Sequence, residues 1–304
     1  TKMSSKSAIK LLIPAGETGS SSEGLLFKFV AVLTGSKNAL KGVGFFLGAL
    51  LLSTIGFQLT LWGMAGALGL VLLFSLLLLK GDMGKSKNRV KITQLFSKSR
   101  EINWLSAARF FLFGSRDVWF VVALPIFLHE VLGWNFWQTG TFMAVWVIGY
   151  GAVQAIAPKL VGGSKGARDE RQGPVAAAIW GSLLALVTLS LAAAVQFEIQ
   201  TTYVVLGGLA VFGVVFAVNS AVHSYLILAY SDSDKVALNV GFYYMANALG
   251  RLLGTLLSGI VYIQSGLAGC LWTSGVFVVA AVILTLFLLR HEKAPAAEPT
   301  GASI

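Results

Sequence analysis

ARFFLFGSRDVWFVVALPIFL, residues 108–128, is a twenty-one-residue stretch with three charges in it, Arg109, Arg116 and Asp117. Wound as a helix it spans about 31 Å, the thickness of a bilayer's hydrocarbon core. The other residues are apolar or small, so the stretch reads as the body of a membrane-crossing helix over 103–128. An arginine at the centre of such a helix costs about 2.5–3.5 kcal/mol to insert and faces a bundle interior or a wet cavity. Arg109 and Arg116 are seven residues apart, so they share one helix face at a separation of about 10 Å. Arg109 lies nearer the helix end, where a long side chain can snorkel. Asp117 is turned about 100° from Arg116, which suits either a structural ion pair with a neighbouring helix or a role in coupling.

The rest of the chain supports this reading. Of 304 residues 56% are hydrophobic and only 12% are charged, about half the charged share of a soluble domain. Mean hydropathy is +0.78. Eight segments are long and apolar enough to cross a bilayer: 38–57, 59–79, 103–128, 136–157, 174–195, 202–229, 236–263 and 267–289. The first can start earlier, near Leu25, which would bring Lys37 and Lys41 inside the helix. Span length and the lack of period-2 alternation favour helices, which satisfy their own backbone hydrogen bonds in lipid. The expected fold is therefore an all-α integral membrane bundle.

The net charge of +10 follows from topology. Lys and Arg crowd one set of loops, from Lys80 to Arg100 and again at Lys159, Lys165, Arg168, Arg171 and Lys235. The opposite connectors, such as 129–136 and 264–269, hold none. The positive-inside rule then places both termini and the 80–102 loop in the cytoplasm, and no nucleic-acid partner is expected. That loop separates two spans from six. Many carriers join two six-helix halves through such a loop, so the chain is expected to hold about eight of twelve spans and to lack four at its N-terminal side. The organisation reads as 1–79 for the remainder of an N-terminal bundle, 80–102 for a basic linker, 103–290 for a C-terminal six-helix bundle and 291–304 for a disordered tail.

Polar residues inside the other spans add to the arginines. Tyr243, Asn247 and Arg251 recur at i, i+4 and i+8, forming one stripe. Gly250, Gly254 and Ser258 make a small-xxx-small seam beside it. Asn219 and His223 are also four apart, and His223 is either a proton carrier or a packing residue. Lys37, Asn38 and Lys41 share a flank. Three arginines against one acid suggest a cavity for a small anion, since the guanidinium fork matches phosphate and carboxylate oxygens. The candidate binding residues are thus Arg109, Arg116, Arg251, Asn247, Tyr243, Lys37 and Lys41, with Asp117 and His223 as candidates for proton coupling. The glycines of GVGFFLG (42–48) lie in a span and read as helix packing. No Walker A motif, zinc-ligand cluster or Ser/His/Asp set stands out, so neither a cofactor nor a metal nor catalysis is expected. Cys270 is the single cysteine.

The helix count and basic loop resemble the major facilitator superfamily, whose loop signature is present only in degenerate form in GGSKGARDERQG (162–173). The segments TKMSSKSAIKLL (1–12), LLFKFVAVLTGSKNALKGVGFFLGALLL (25–52), ARFFLFGSRDVWFVVALPIFL (108–128), GWNFWQTGTFMAVWVIGYGAVQAIAP (133–158) and NVGFYYMANALGRLLGTLLSG (239–259) resemble the ArsJ-type organoarsenical efflux permeases. The resemblance implies a monomer of the bacterial inner membrane exporting 1-arseno-3-phosphoglycerate. It implies functional coupling to a glyceraldehyde-3-phosphate dehydrogenase, and arsenate resistance as the outcome. A facilitator-type exporter of another organic anion or drug is the first alternative, and a non-transporting membrane receptor or scaffold the second.

Overall fold

The computed structural model describes residues 20–78, 99–161, 172–199, 201–231 and 236–292. These residues are almost wholly helical. The long helices are α1 (Ser20–Leu78), α2 (Arg100–Phe120), α4 (Phe136–Leu160), α5 (Gln172–Gln196), α6 (Thr201–Ala229) and α7 (Val236–Glu292). A short α3 (Ala123–Ile126) and a π-helical turn (Phe127–Val131) follow α2. All six long helical segments are apolar enough to cross a membrane. Large exposed side chains such as Leu76, Trp62, Ile179 and Ile263 cover the outside, the surface that lipid solvates. The chain is a multi-pass membrane protein.

Two of these helices are each two spans. At 1.5 Å per residue a helix of 50 or more residues would reach about 80 Å, far beyond one bilayer. α1 breaks at Gly56 (φ 77°, ψ 174°) and α7 at Gly266 (φ 61°, ψ −159°). Both pairs of angles lie in a region open in practice to glycine alone. In α7 the Sγ of Cys270 approaches the carbonyl oxygen of Ser258 at 3.6 Å. Twelve residues of straight helix would separate those groups by about 18 Å, so the chain folds back at Gly266. The arms are 20–55, 57–78, 236–265 and 267–292, and the eight predicted segments are all present.

Boundaries differ in two places. The first span starts at Ser20 rather than near Asn38, so Lys37 and Lys41 sit well within it. The 103–128 helix is interrupted at Val121 and Val122. Pro125 explains the interruption, because it has no N–H for the carbonyl four residues back and its ring collides with that carbonyl. Ser258 of α7 supplies a replacement bond, its Oγ accepting from the Ala123 N–H at 3.1 Å. Residues 80–98, 162–171 and 293–304 lie outside the described residues, and with them most of the basic loop residues behind the predicted orientation, the degenerate loop signature and the tail.

Close backbone approach sets the packing. A Cβ at Gly250 would lie 2.0 Å from the carbonyl oxygen of Phe110, and one at Gly254 would lie 2.5 Å from that of Gly114. The glycine seam of α7 therefore seats α2. A second seam joins α1 to α4. A Cβ at Gly35 would lie 2.4 Å from the Gly151 carbonyl, and one at Gly42 would lie 2.8 Å from that of Ala144. Gly44 and Gly48 of the same run face open space, so only Gly42 of the three fulfils the packing expectation.

Candidate functional site

A cavity opens where α1, α2, α4, α6 and α7 meet. Its wall includes Lys37, Asn38 and Lys41 from α1, Arg109 and Arg116 from α2, and Asn247 and Arg251 from α7. No carboxylate is on that wall among the described residues. Helix geometry accounts for the convergence. Arg109 and Arg116 share a face of α2, Asn247 and Arg251 share a face of α7, and the Gly114–Gly250–Gly254 contacts bring those faces together. Tight packing at the glycines puts long polar side chains at the neighbouring positions.

Asp117 stands behind the wall, fully buried, between two guanidiniums. Its Oδ1 accepts from Arg116 Nε at 2.7 Å, and its Oδ2 accepts from Arg251 Nε at 2.7 Å. The side chain of Arg116 is 13% exposed and that of Arg251 is 42% exposed. Each guanidinium has five N–H donors. Engaging Asp117 leaves most of them for the cavity, so the carboxylate holds both forks in place. The ion pair to a neighbouring helix anticipated from the sequence is present.

Arg109 has different company. It is buried, and its Nη1 donates to the carbonyl oxygen of Ser220 at 3.1 Å and to the Ser220 hydroxyl at 3.2 Å. Its guanidinium carbon lies 3.8 Å from the Phe113 ring centre and 5.1 Å from that of Tyr243, a cation–π clamp. Among the described residues it has no carboxylate partner.

The placements refine the polar stripe of α7. Asn247 and Arg251 line the cavity, and Tyr244 lines it with them. Tyr243 is buried in the core beneath Arg109. His223 is buried on α6 one turn from Ser220, its Nδ1 without a partner among the described residues, and it is off the cavity wall. Sequence reasoning passed over Tyr150, Gln154 and Ser220. Gln154 Nε2 and the Tyr150 hydroxyl each lie 3.2 Å from Ser220 Oγ, and Asn38 Nδ2 donates to Gln154 Oε1 at 2.6 Å. This chain of bonds runs from α1 through α4 to α6 and Arg109. The i, i+4 spacing of Tyr150 and Gln154 in an apolar span was the available signal.

Residues 166–303 match the Major Facilitator Superfamily. That region contains α5, α6 and α7, and so Ser220, Asn247 and Arg251. The match supports a major facilitator transporter, and the all-α membrane bundle is consistent with it. No curated protein matches the chain.

Proposed function

We propose that this chain is a secondary transporter of the major facilitator type that exports an organic anion by alternating access. The observation carrying the proposal is the cavity wall, where three arginines converge from two helices and one buried acid orients two of them. A fixed guanidinium fork recognises oxyanions through paired N–H donors. Arg116 and Arg251 present theirs together, Arg109 adds a third cation, and Lys37, Lys41 and Asn247 complete the wall. In an alternating-access carrier such a site lies near the bilayer midplane between moving bundles. The bonds linking α1 to α4 and α6 are then the ones that rearrange. Asp117 and His223 are the coupling groups in this proposal: protonating Asp117 loosens both arginines at once.

The proposed cargo is an organoarsenical anion, 1-arseno-3-phosphoglycerate, made with a glyceraldehyde-3-phosphate dehydrogenase and exported across a bacterial inner membrane. The resemblance of five sequence segments to the arsenical permeases supports it, and the oxyanion chemistry of the cavity is compatible with it. A lone cysteine, Cys270, buried among apolar side chains, suits a pentavalent oxyanion better than thiophilic trivalent arsenic.

Everted vesicles test the proposal. ATP-independent uptake of the labelled ester is expected, with a loss of at least tenfold in Arg116→Ala and in Arg251→Ala at normal protein levels. Unchanged uptake in both variants overturns the site. Arsenate resistance that needs this chain together with the dehydrogenase supports the cargo; resistance independent of either one overturns it.

A further inference from the structure

The cationic cavity has a second, apolar lobe. Asn38, Lys41, Arg116, Tyr150 and Arg251 border both lobes. Beyond them the wall is Phe45, Phe120, Val121, Met143, Trp146 and Val147. The polar edge of Trp146 is already used, since its Nε1 donates to the carbonyl oxygen of Leu209 at 2.8 Å. Its ring stacks on Tyr150, nearly parallel with centres 5.8 Å apart, and lies 4.8 Å from Phe120. Phe45 meets Phe120 edge to face at 6.1 Å. The lobe thus offers aromatic and aliphatic surface, with cationic groups only at the edge where it meets the first.

We propose that this lobe is a subsite for the apolar part of an amphipathic organic anion, whose charged head sits on Arg116 and Arg251. The inference rests on the anion reading above and widens it. A three-carbon ester with an oxyanion at each end has charges suited to the cationic lobe and no apolar group for the other. An anion bearing an alkyl or aryl group uses both. Two features fix the relative placement of head and tail. Arg116 and Arg251 border both lobes, so a head bound there is next to the apolar wall. Arg116 is itself packed near aromatic rings of both lobes, 5.1 Å from the Phe113 centre and 6.0 Å from the Phe120 centre, so its guanidinium stands at the boundary. The predicted cargo class is monoanionic or dianionic phosphonates, arsonates or phosphate esters with one alkyl or aryl substituent.

The test measures displacement of labelled methylphosphonate from the full chain in detergent by unlabelled methyl-, butyl- and phenylphosphonate. Each buried methylene is worth about a factor of three to four in affinity, so butylphosphonate, with three more, is expected to compete about thirty- to sixtyfold better than methylphosphonate, and phenylphosphonate at least as well. Butanol, which has the tail without the head, should not compete. Val147→Trp, which fills the lobe, should abolish the butyl advantage while leaving methylphosphonate binding unchanged. Equal competition by methyl- and butylphosphonate overturns the subsite and leaves the anion site standing. Failure of every phosphonate to bind overturns the anion site and the subsite with it. If Val147→Trp does not fold, Met143→Phe gives the same readout from one turn away on the same face of α4.

Discussion

The geometry at Asp117 makes one buried carboxylate answerable for two arginines. Breaking a buried ion pair by removing one partner costs about 3–5 kcal/mol, because the remaining charge is left without a counter-ion. Arg251 is partly exposed and can rehydrate, whereas Arg116 is mostly covered. Asp117→Asn is therefore expected to lower stability by about 3 kcal/mol, chiefly through Arg116, measured as denaturant or thermal unfolding in detergent. A double-mutant cycle with Arg251→Gln should show a coupling of about 1 kcal/mol or more; additive losses would dismiss the bridge. If Asp117 carries the coupling proton, the variant keeps substrate exchange across the membrane but no longer responds to an imposed pH gradient. Retention of gradient-driven uptake would remove Asp117 from the coupling mechanism.

At the scale of elements, glycine does two separate jobs. At Gly250, Gly254, Gly35 and Gly42 it allows helices to touch through their backbones. At Gly250, Gly254 and Gly35 an added side chain first meets a carbonyl oxygen, and at Gly42 it meets both the Ile148 side chain and the Ala144 carbonyl. Gly250→Val should destabilise by about 3 kcal/mol or more, at the upper end of overpacking costs. Gly44→Ala and Gly48→Ala face open space and should be neutral or stabilising by about 0.5–1 kcal/mol, since alanine loses less chain entropy in a helix. Parallel melting curves of the three variants check the ranking, and a Gly44→Ala loss as large as that of Gly250→Val would refute the seam. At Gly56 and Gly266 glycine instead permits a break in the helix, and at Gly266 the chain folds back. Gly266→Ala has room for its Cβ yet adopts angles costing about 1–3 kcal/mol, so its defect should appear as strain without a packing clash. The sequence placed both turns to within a few residues. It did not anticipate the break after Phe120, because a single proline in an apolar run is compatible with a kink, a stop or neither.

At the scale of the whole molecule, the bonds from Asn38 to Gln154 and on to Ser220 tie α1 to the helices that carry the arginines. If the carrier rocks about its cavity, these bonds open and close in each cycle. Asn38→Cys with Gln154→Cys, in a Cys270→Ala background free of other thiols, should cross-link under mild oxidation. Export should then stop and return on reduction. Transport at full rate in the cross-linked protein would show that α1 and α4 move as one body.

What the sequence determined by itself was the class of the molecule. Hydropathy and span length are one-dimensional quantities, and a bilayer of known thickness converts them directly into eight helices. The expense of charge in lipid likewise singled out Arg109, Arg116, Asp117 and Arg251 one by one. Which of those groups face each other was decided only by the tertiary structure. Helix spacing orders residues on one face, but the rotation of a helix about its own axis depends on the partner that its small residues find. The Gly114–Gly250–Gly254 contact sets that rotation for α2 and α7, and it places Asp117 between its chain neighbour Arg116 and Arg251, which lies 134 residues further along the chain. The same rotation puts Tyr244, not Tyr243, on the cavity wall, although both neighbours are tyrosine and no pattern distinguishes them. Gln154 and Ser220 escaped notice because an uncharged polar side chain costs little in a helix until its neighbours are known.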